Sequence, residues 1–328
     1  MRLEPSELMQ LAMGAAEKAR LHAPPNPWVG ALIVNDDGVV IAEGHTQAPG
    51  DSHAEIEALR RAGDKARGAT MVVTLEPCCH VGRTGPCVDA IVEAGVARVI
   101  VGTLDPDARV AGQGVLSLKA SGVDVEVGIE EKLVREQLAP YLWHRVTGRP
   151  YVVLKVASTL DGIVAMADGS SQWITGELAR RDAHLLRASS QAIVIGAGTV
   201  RSDDPALTAR LDDMILEPLR VVLGNAPQNA RVRPCLERSG DLGLLLDELG
   251  QLDILQVLVE GGPTVASDFL EQELVNRVVW YQAPAFAGAL GTSGALRALS
   301  TSSIDDLRRG RVVDVRRIGE DIRVDVEV

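Results

Sequence analysis

The sequence predicts an α/β protein made of two successive domains, and three observations carry this. Short aliphatic runs of strand type alternate with segments of helical spacing along most of the chain, the pattern of sheets covered by helices. The alternation breaks once, at Gly148 and Pro150, where a residue that can end a helix precedes one that cannot continue it. Finally, 328 residues are more than one ordinary hydrophobic core organises. Domains are therefore expected at residues 1–147 and 148–328. With 46% apolar but only 3% aromatic residues, both cores must be aliphatic.

In the first half, Leu8, Leu11, Ala12, Ala15 and Ala19 recur at helical spacing within residues 5–22. The runs VGALIV and VVIAEG flank NDDG, and Asp37-Gly38 is a hairpin-turn pair, so the sheet opens antiparallel. A helix over about 53–66, strand ATMVVTLE, a helix over about 86–94, strand ARVIVGT, a helix near 113–121 and strand VDVEV follow. This order predicts a three-layer α/β/α domain with a mixed sheet. One amphipathic helix is expected over 130–146. The second half reads as strand YVVLKVAS, a loop, a helix over about 176–188, then strands AIVIGAG, LRVVLG and ILQVLVEGG. A helix from Val265, strand NRVVWYQAP and two C-terminal strands, RVVDVRRIG and DIRVDVEV, complete it. The stretch 225–250 is the least patterned part.

The formal charge of −12 gives an overall field poorly suited to nucleic acid, so no nucleic-acid partner is expected. A local basic patch can still hold a small anion. MRLEPSELMQ lacks a signal pattern, and no run of about 18 apolar residues offers a membrane span. Four cysteines, three of them between residues 78 and 87, do not make a disulfide scaffold. Reduced thiols in the cytoplasm are expected, clustered for metal binding or catalysis.

The stretch TLEPCCHVGRTGPC holds those three thiols, and DSHAEIEALRRA lies upstream of it. His53, Cys78 and Cys87 each fall at a predicted element boundary and together make a three-ligand zinc set, with the fourth position open to water. Zinc lowers the pKa of such a water toward neutrality. Glu55, two residues from the histidine, can reach the same water without binding the metal and shuttle its proton to leaving ammonia. His-x-Glu followed by Pro-Cys is the signature of zinc-dependent base deaminases. Alone, a His-Ala-Glu is common on helix surfaces, and spaced cysteines are most often small buried residues; the combination is specific. Cys79 and Cys235 read as packed bystanders. Eight residues, CHVGRTGP, separate Cys78 from Cys87. This polar insertion points to an anionic substrate, with His80, Arg83 and Thr84 as phosphate donors or as solvated loop residues. In the second half, VIGAGT and VEGGPT follow strands. The amides of a helix starting near Val265 offer an anion site, with an ordinary strand-to-helix turn as the alternative. Arg187, Arg201 and Arg210 are candidate phosphate clamps or surface charges.

At this point the chain resembles the bifunctional riboflavin-biosynthesis deaminase-reductase family. The residues that carry the resemblance are NPWVGALIV, HAEIEALRRAG, TLEPCCHVGRTGPC and DPDARVAGQG, then LKVASTLDG, SSQWIT, GAGTVRSDDPALTAR and VEGGPTVASDFL, covering nearly the whole chain. The resemblance implies a cytidine-deaminase-like first domain and a dihydrofolate-reductase-like second one. It implies a phosphoribosylamino-pyrimidine substrate that is deaminated and then reduced with NADPH to a ribityl chain, and a homodimer or higher homo-oligomer as partner state. Asn26 would bind the pyrimidine. Val156, Trp173, Thr199, Asp203 and Gly262, Pro263, Thr264, Val265 and Ala266 would contact NADPH. Ser171, Arg187, Leu207, Arg210 and Glu260 would contact the sugar phosphate, with Lys155 and Asp161 as polar groups near the reacting carbon. Three places depart from the family pattern: Trp28; DPDARVAG; and Gly224, where an aspartate is usual, with a short 224–253 segment after it. A strand or edge helix is expected to be missing from that segment, which favours one alternative, a deaminase whose degenerate second half serves dimerisation.

Overall fold

A computed structural model describes residues 3–80, 85–212, 214–288, 292–297 and 299–328. The chain divides into two compact units, Met1–Gly148 and Arg149–Val328.

The first unit contains α1 (Pro5–Glu17), β1 (Gly30–Val34), β2 (Val40–His45), α2 (Ala54–Ala62), β3 (Thr70–Leu75), α3 (Cys87–Glu93), β4 (Arg98–Thr103), α4 (Gln113–Ala120), β5 (Asp124–Val127), α5 (Glu131–Gln137) and α6 (Ala139–Thr147). Its sheet has the order β2-β1-β3-β4-β5. β1 is antiparallel to β2 and β3, whereas β3, β4 and β5 are parallel, giving the expected mixed sheet. The two-residue period of a strand assigns the layers. A side chain at Gly30 would meet the α1 backbone, with Ala12 O 1.9 Å away. A side chain at Gly44, paired with Ala31, would meet α2, with Ala54 O 2.2 Å away. Gly30 and Ala31 point to opposite faces, so α1 and α2 lie on opposite sides of the sheet. Gly102 faces Met9 and Val134, which places α5 with α1.

The single helix expected over 130–146 is corrected to two, α5 and α6, with Leu138 between them at φ −91°, ψ 8°. Pro140 is the cause, because within one continuous helix its ring would clash with a carbonyl of the preceding turn. At the start of α6 it is tolerated.

The second unit contains β6 (Tyr151–Thr159), β7 (Ile163–Ala165), α7 (Glu177–Ala188), β8 (Ala192–Gly196), α8 (Ala197–Asp203), β9 (Ala209–Leu211), β10 (Met214–Leu216), β11 (Leu219–Leu223), β12 (Leu236–Arg238), α9 (Leu242–Gln251), β13 (Gln256–Val259), α10 (Pro263–Glu271), β14 (Arg277–Ala283), β15 (Ser293–Gly294), β16 (Arg311–Ile318) and β17 (Asp321–Glu327). The main sheet runs β12-β11-β8-β13-β6-β14-β17-β16. Its first six strands are parallel, and β17 and β16 close it antiparallel. Leu242, Leu245, Leu246 and Leu249 of α9 pack with Val194, Val221, Val257 and Phe269 in the core. The expectation that 224–253 lacks a strand or edge helix is thereby corrected: β12 and α9 both lie there. Asp241 caps α9 by accepting a hydrogen bond from Leu244 N at 3.0 Å.

The close approach at Gly44 tests the link from fold to site, because α2 follows directly from His53. Gly44→Ala is expected to destabilise the chain by about 1–3 kcal/mol in urea titration. It should also lower bound zinc, since α2 must move off β2. Unchanged stability and metal content would show that the contact yields without consequence.

Candidate active sites

The parallel strands of the first unit end together, and every predicted site residue that is described there lies at that edge. β3 leads into Cys78, β2 into His53, and β1 starts just after Asn26. β1 is antiparallel to β3, so its beginning meets the end of β3, with Ala31 opposite Val73. Thr46 ties the two flanking loops, accepting from Val29 N at 3.0 Å and donating its own N–H to Val29 O. Asn26 is half-buried in a turn fixed by its N–H to Ala23 O and by Arg145 donating to Pro25 O.

His53 stands, with extended backbone, at the residue before α2, and Cys87 opens α3. His53 Nδ1 lies 3.6 Å from Cys78 Sγ and 3.3 Å from Cys87 Sγ, and the three ligand atoms all fall within 4.8 Å of one another. A tetrahedral zinc ion with ordinary Zn–S and Zn–N bonds separates N from S by about 3.6 Å, so the cluster fits one. The Cys78 thiol is lowered to about 4, first by the Cys87 thiol donating to it and then, against burial, by His53 and the Cys87 backbone N–H. His53 is raised to about 9 by its bond to Cys78. Cys87 is pushed well up, by sharing its hydrogen with Cys78, by burial and by Glu55. Two thiols this close, one half-buried and one buried, beside a carboxyl, both ionise only around a cation, and a nitrogen and two sulfurs suit zinc. Glu55 is 4% exposed in the first turn of α2 and meets Cys87. Burial raises its pKa, opposed by His53.

His80 is half-buried, and its Nδ1 has no hydrogen-bond partner among the described residues. Arg83 and Thr84 lie outside the described residues. The Cys79 thiol turns to Arg109 O at 3.7 Å, away from the cluster. Two carboxylates at this edge escaped the sequence reading. Glu76 accepts hydrogen bonds from the backbone N–H groups of Asp105, Gly112 and Val115, clamping the DPDARVAG loop to the metal loop. Asp105 is buried, raised to about 6 chiefly by burial, and accepts from Tyr141 Oη at 3.0 Å. An acid directly before Pro-Cys and one opening Asp-Pro were the available signals.

The second unit has a cavity of about 520 Å³ at the carboxyl edge of its parallel strands, a size usual for small-molecule sites. Of the predicted residues, Lys155, Val156, Ser171, Trp173, Arg187, Thr199, Asp203, Leu207, Arg210, Glu260, Gly262, Pro263 and Ala266 line it. Three do not. Asp161 is bound instead by the Thr159 hydroxyl and by the N–H groups of Ala287 and Gly288. Thr264 is exposed, and Val265 is core, packed so tightly on Gly261 that a side chain there would lie 2.4 Å from Val265 Cβ. Arg201 also lies off the lining.

Arg187 does not stand free as a phosphate clamp. Its guanidinium grips Glu260 bidentately at 2.6 and 2.9 Å and donates to Thr208 O. Lys155 Nζ is 4.0 Å from the same carboxylate. Burial pushes Glu260 up, but Arg187 and Lys155 more than offset this and hold it at about 2. Burial lowers Lys155, against the pull of Glu260. Arg210 lies on His184, which accepts from Arg210 N through Nδ1 at 3.1 Å. The guanidinium of Arg180 sits 4.7 Å from the Trp173 ring centroid. Arg180 and Arg231 also line the cavity and went unread in the sequence.

A buried carboxyl beside a His-Cys-Cys cluster, followed in the same chain by a cation-lined cavity on a parallel sheet, defines a hydrolytic deaminase joined to a ligand-binding α/β domain. Family models agree with both parts: the cytidine and deoxycytidylate deaminase zinc-binding region matches residues 3–103, and the RibD C-terminal domain matches residues 150–324. The riboflavin biosynthesis protein RibD of Chlamydia trachomatis is 44% identical, over 86% of this chain and 85% of its own. A solved structure of Acinetobacter baumannii RibD has a TM-score of 0.91 at 38% identity, covering 98% of both chains. A solved diaminohydroxyphosphoribosylaminopyrimidine deaminase/5-amino-6-(5-phosphoribosylamino)uracil reductase from Thermotoga maritima has a TM-score of 0.87 at 34% identity, again over 98% of both. The chain belongs to the RibD family of riboflavin biosynthesis proteins and carries both its deaminase and its reductase domain. Among the described residues no helix is long and apolar enough to cross a membrane.

The cluster geometry makes a metal-content prediction. Cys87→Ser is expected to lose the roughly one zinc per chain seen by elemental analysis, whereas Cys79→Ser keeps it. Full zinc in the Cys87 variant would remove Cys87 from the ligand set.

Proposed function

We propose that residues 1–147 hydrolyse the ring amine of 2,5-diamino-6-(5-phosphoribosylamino)pyrimidin-4(3H)-one, and that residues 148–328 reduce the ribosyl group of the product with NADPH. The product of both steps is 5-amino-6-(5-phosphoribitylamino)uracil. The observation that carries the first step is the convergence of His53, Cys78 and Cys87 beside buried Glu55. These three residues would hold zinc, which when bound supplies a Lewis acid that activates water. Glu55 takes the proton that water gives up and returns it to the amine as ammonia leaves. Asn26 holds the pyrimidine at the same sheet edge, and His80 offers a donor to its anionic side chain.

In the second unit NADPH supplies hydride when bound. The cavity wall from Val156, Trp173, Thr199 and Asp203 to Gly262, Pro263 and Ala266 is the proposed cofactor face. Ser171, Leu207 and Arg210 are proposed for the sugar phosphate. As hydride reaches the sugar carbon its ring C–O bond breaks, and the freed oxygen needs a proton. Lys155, its pKa lowered by burial, is the proposed donor. Glu260 orients it, and Arg187 fixes Glu260. The alternative of a degenerate second half loses its motivation once β12 and α9 occupy the short segment. We further propose a cytoplasmic homo-oligomer that binds no nucleic acid. Edge strand β16, with Val312 and Val315 exposed, supports pairing of a second copy, and the acidic balance supports the last point.

A coupled assay of ammonia release and NADPH loss on one preparation tests the whole reading; either signal missing removes that half. Glu55→Gln should keep zinc yet slow ammonia release about 10²–10⁴-fold, and a loss below tenfold would assign the shuttle elsewhere. Arg187→Ala should leave ammonia release intact and slow reduction on the order of 10²-fold. It also removes the main charge holding Glu260 ionised while the burial remains, so the pKa of Glu260 must rise from about 2. The acid limb of the reduction pH profile should therefore move upward. An unmoved limb would exclude Glu260 from the reaction.

A further inference from the structure

We infer that Arg231 reads the 2′-phosphate of the dinucleotide and sets the preference for NADPH over NADH; this rests on the reductase reading above. The cavity is lined by five cationic side chains, and their engagements differ. Lys155 and Arg187 share Glu260. Arg180 donates to Thr175 O and covers Trp173. Arg210 rests on His184. Arg231, an exposed residue, lines the cavity, and its side chain has no hydrogen bond or ion pair among the described residues.

Its backbone, by contrast, is firmly placed. Arg231 N donates to Asp204 Oδ1 at 2.8 Å. Ala230 and Val232 on either side are buried, and Ala230 N bonds to Pro227 O. Arg233 closes the turn by donating to Ala226 O, Pro227 O and Glu237. A long cation is thus held out from an anchored turn into a ligand cavity, aimed at nothing the protein supplies. A charge so placed suits an anionic group of the ligand. Neither neighbouring acid satisfies it: Asp203 accepts from the Ser171 hydroxyl, and Asp204 takes the backbone N–H.

Two phosphate-bearing ligands must share the cavity, and position assigns Arg231 to one of them. The reacting end holds Lys155, Glu260 and Arg187, and the charges acting on His184 there come from Arg187, Arg210 and Glu260. Arg231 is tied instead to the far end of α8. That helix starts beside Gly262, where Thr199 Oγ1 lies 3.3 Å from the position of an added side chain. Asp204 is five residues further on, roughly 8 Å along a helix. A dinucleotide with its nicotinamide at Lys155 carries its adenosine away from that end. The 2′-phosphate is the one group that distinguishes NADPH from NADH there, and an arginine is a suitable reader of it.

The experiment is isothermal titration of the full chain and of its R231A and R231K variants. NADPH, NADH, adenosine 2′,5′-bisphosphate and adenosine 5′-monophosphate serve as probes, without substrate or turnover. R231A is expected to weaken NADPH and the bisphosphate about ten- to hundredfold and to change NADH and the monophosphate less than twofold. R231K should recover part of the loss, because it keeps the charge but not the fork. If R231A weakens NADPH and NADH equally, or neither, Arg231 is no 2′-phosphate reader and the proposal falls while the reductase reading stands. If the unaltered chain binds no NADPH, the reductase reading falls and this proposal goes with it.

Discussion

Neighbouring parallel strands must end on the same side of their sheet, and both sites of this chain depend on that constraint. In the first unit β3 and β4 run in register from Thr70 opposite Arg98 to Leu75 opposite Thr103. The loops that follow them, with Cys78 and Asp105, therefore emerge side by side. Glu76 uses this proximity, binding two backbone N–H groups of the second loop and one of α4 with a carboxylate from the first. In the second unit Leu154 stands opposite Val259, so the next residue of each strand brings Lys155 to Glu260. No long-range coincidence is needed to pair a lysine with a glutamate 105 positions later; strand register does it. Ligand sites at the carboxyl ends of parallel strands are the general result of this geometry.

What the register cannot do is satisfy charge, and the two units solve that problem from opposite sides. Near His53 the protein gathers two thiols and a carboxyl, a set that repels itself unless a cation joins it. Near Glu260 it gathers two cations around one buried carboxylate, a set complete without a ligand. The first cluster therefore selects for metal. The second is ready-made, rigid and charged, and it leaves other cations of the cavity to meet anionic ligands.

Most of this was legible in the sequence wherever a residue type and its spacing carry a mechanism. His53, Glu55, Cys78 and Cys87 could be read because a metal set needs donors at element boundaries. The parallel sheet could be read because aliphatic runs alternate with helical segments. Other parts were hidden for physical reasons. β7, β9, β10, β12 and β15 are two or three residues long, too short for a period of two to appear. α9 could have been found, since Asp241 caps a run with leucines at 242, 245, 246 and 249, but the surrounding irregular residues masked it. The bond between Arg187 and Glu260 joins residues 73 apart in sequence and exists only through tertiary structure. Read alone, Arg187 looks like a phosphate clamp; with its partner in place it is a holder of charge. The surroundings of Asp161 were hidden in the same way: polar and close to Lys155 in sequence, it is held by the amides of Ala287 and Gly288.

Glu55 and Glu260 make the same point chemically. Both are buried glutamates at a sheet edge, and burial pushes both upward. At Glu55 burial dominates, with Cys78 adding to the rise and His53 and a hydrogen bond to Cys87 opposing it, so its carboxyl can bind a proton more readily than an exposed one. A cation among His53, Cys78 and Cys87 pulls it back down, and the balance of burial against cation leaves a group able to take a proton and release it again. Glu260 faces Arg187 and Lys155 and stays ionised at about 2, outside the range in which a group exchanges protons near neutrality. In the proposed reduction the proton then falls to the neighbour whose pKa burial lowers, Lys155. In that reading identical side chains take opposite duties, one to move a proton and one to hold charge, because the neighbours differ.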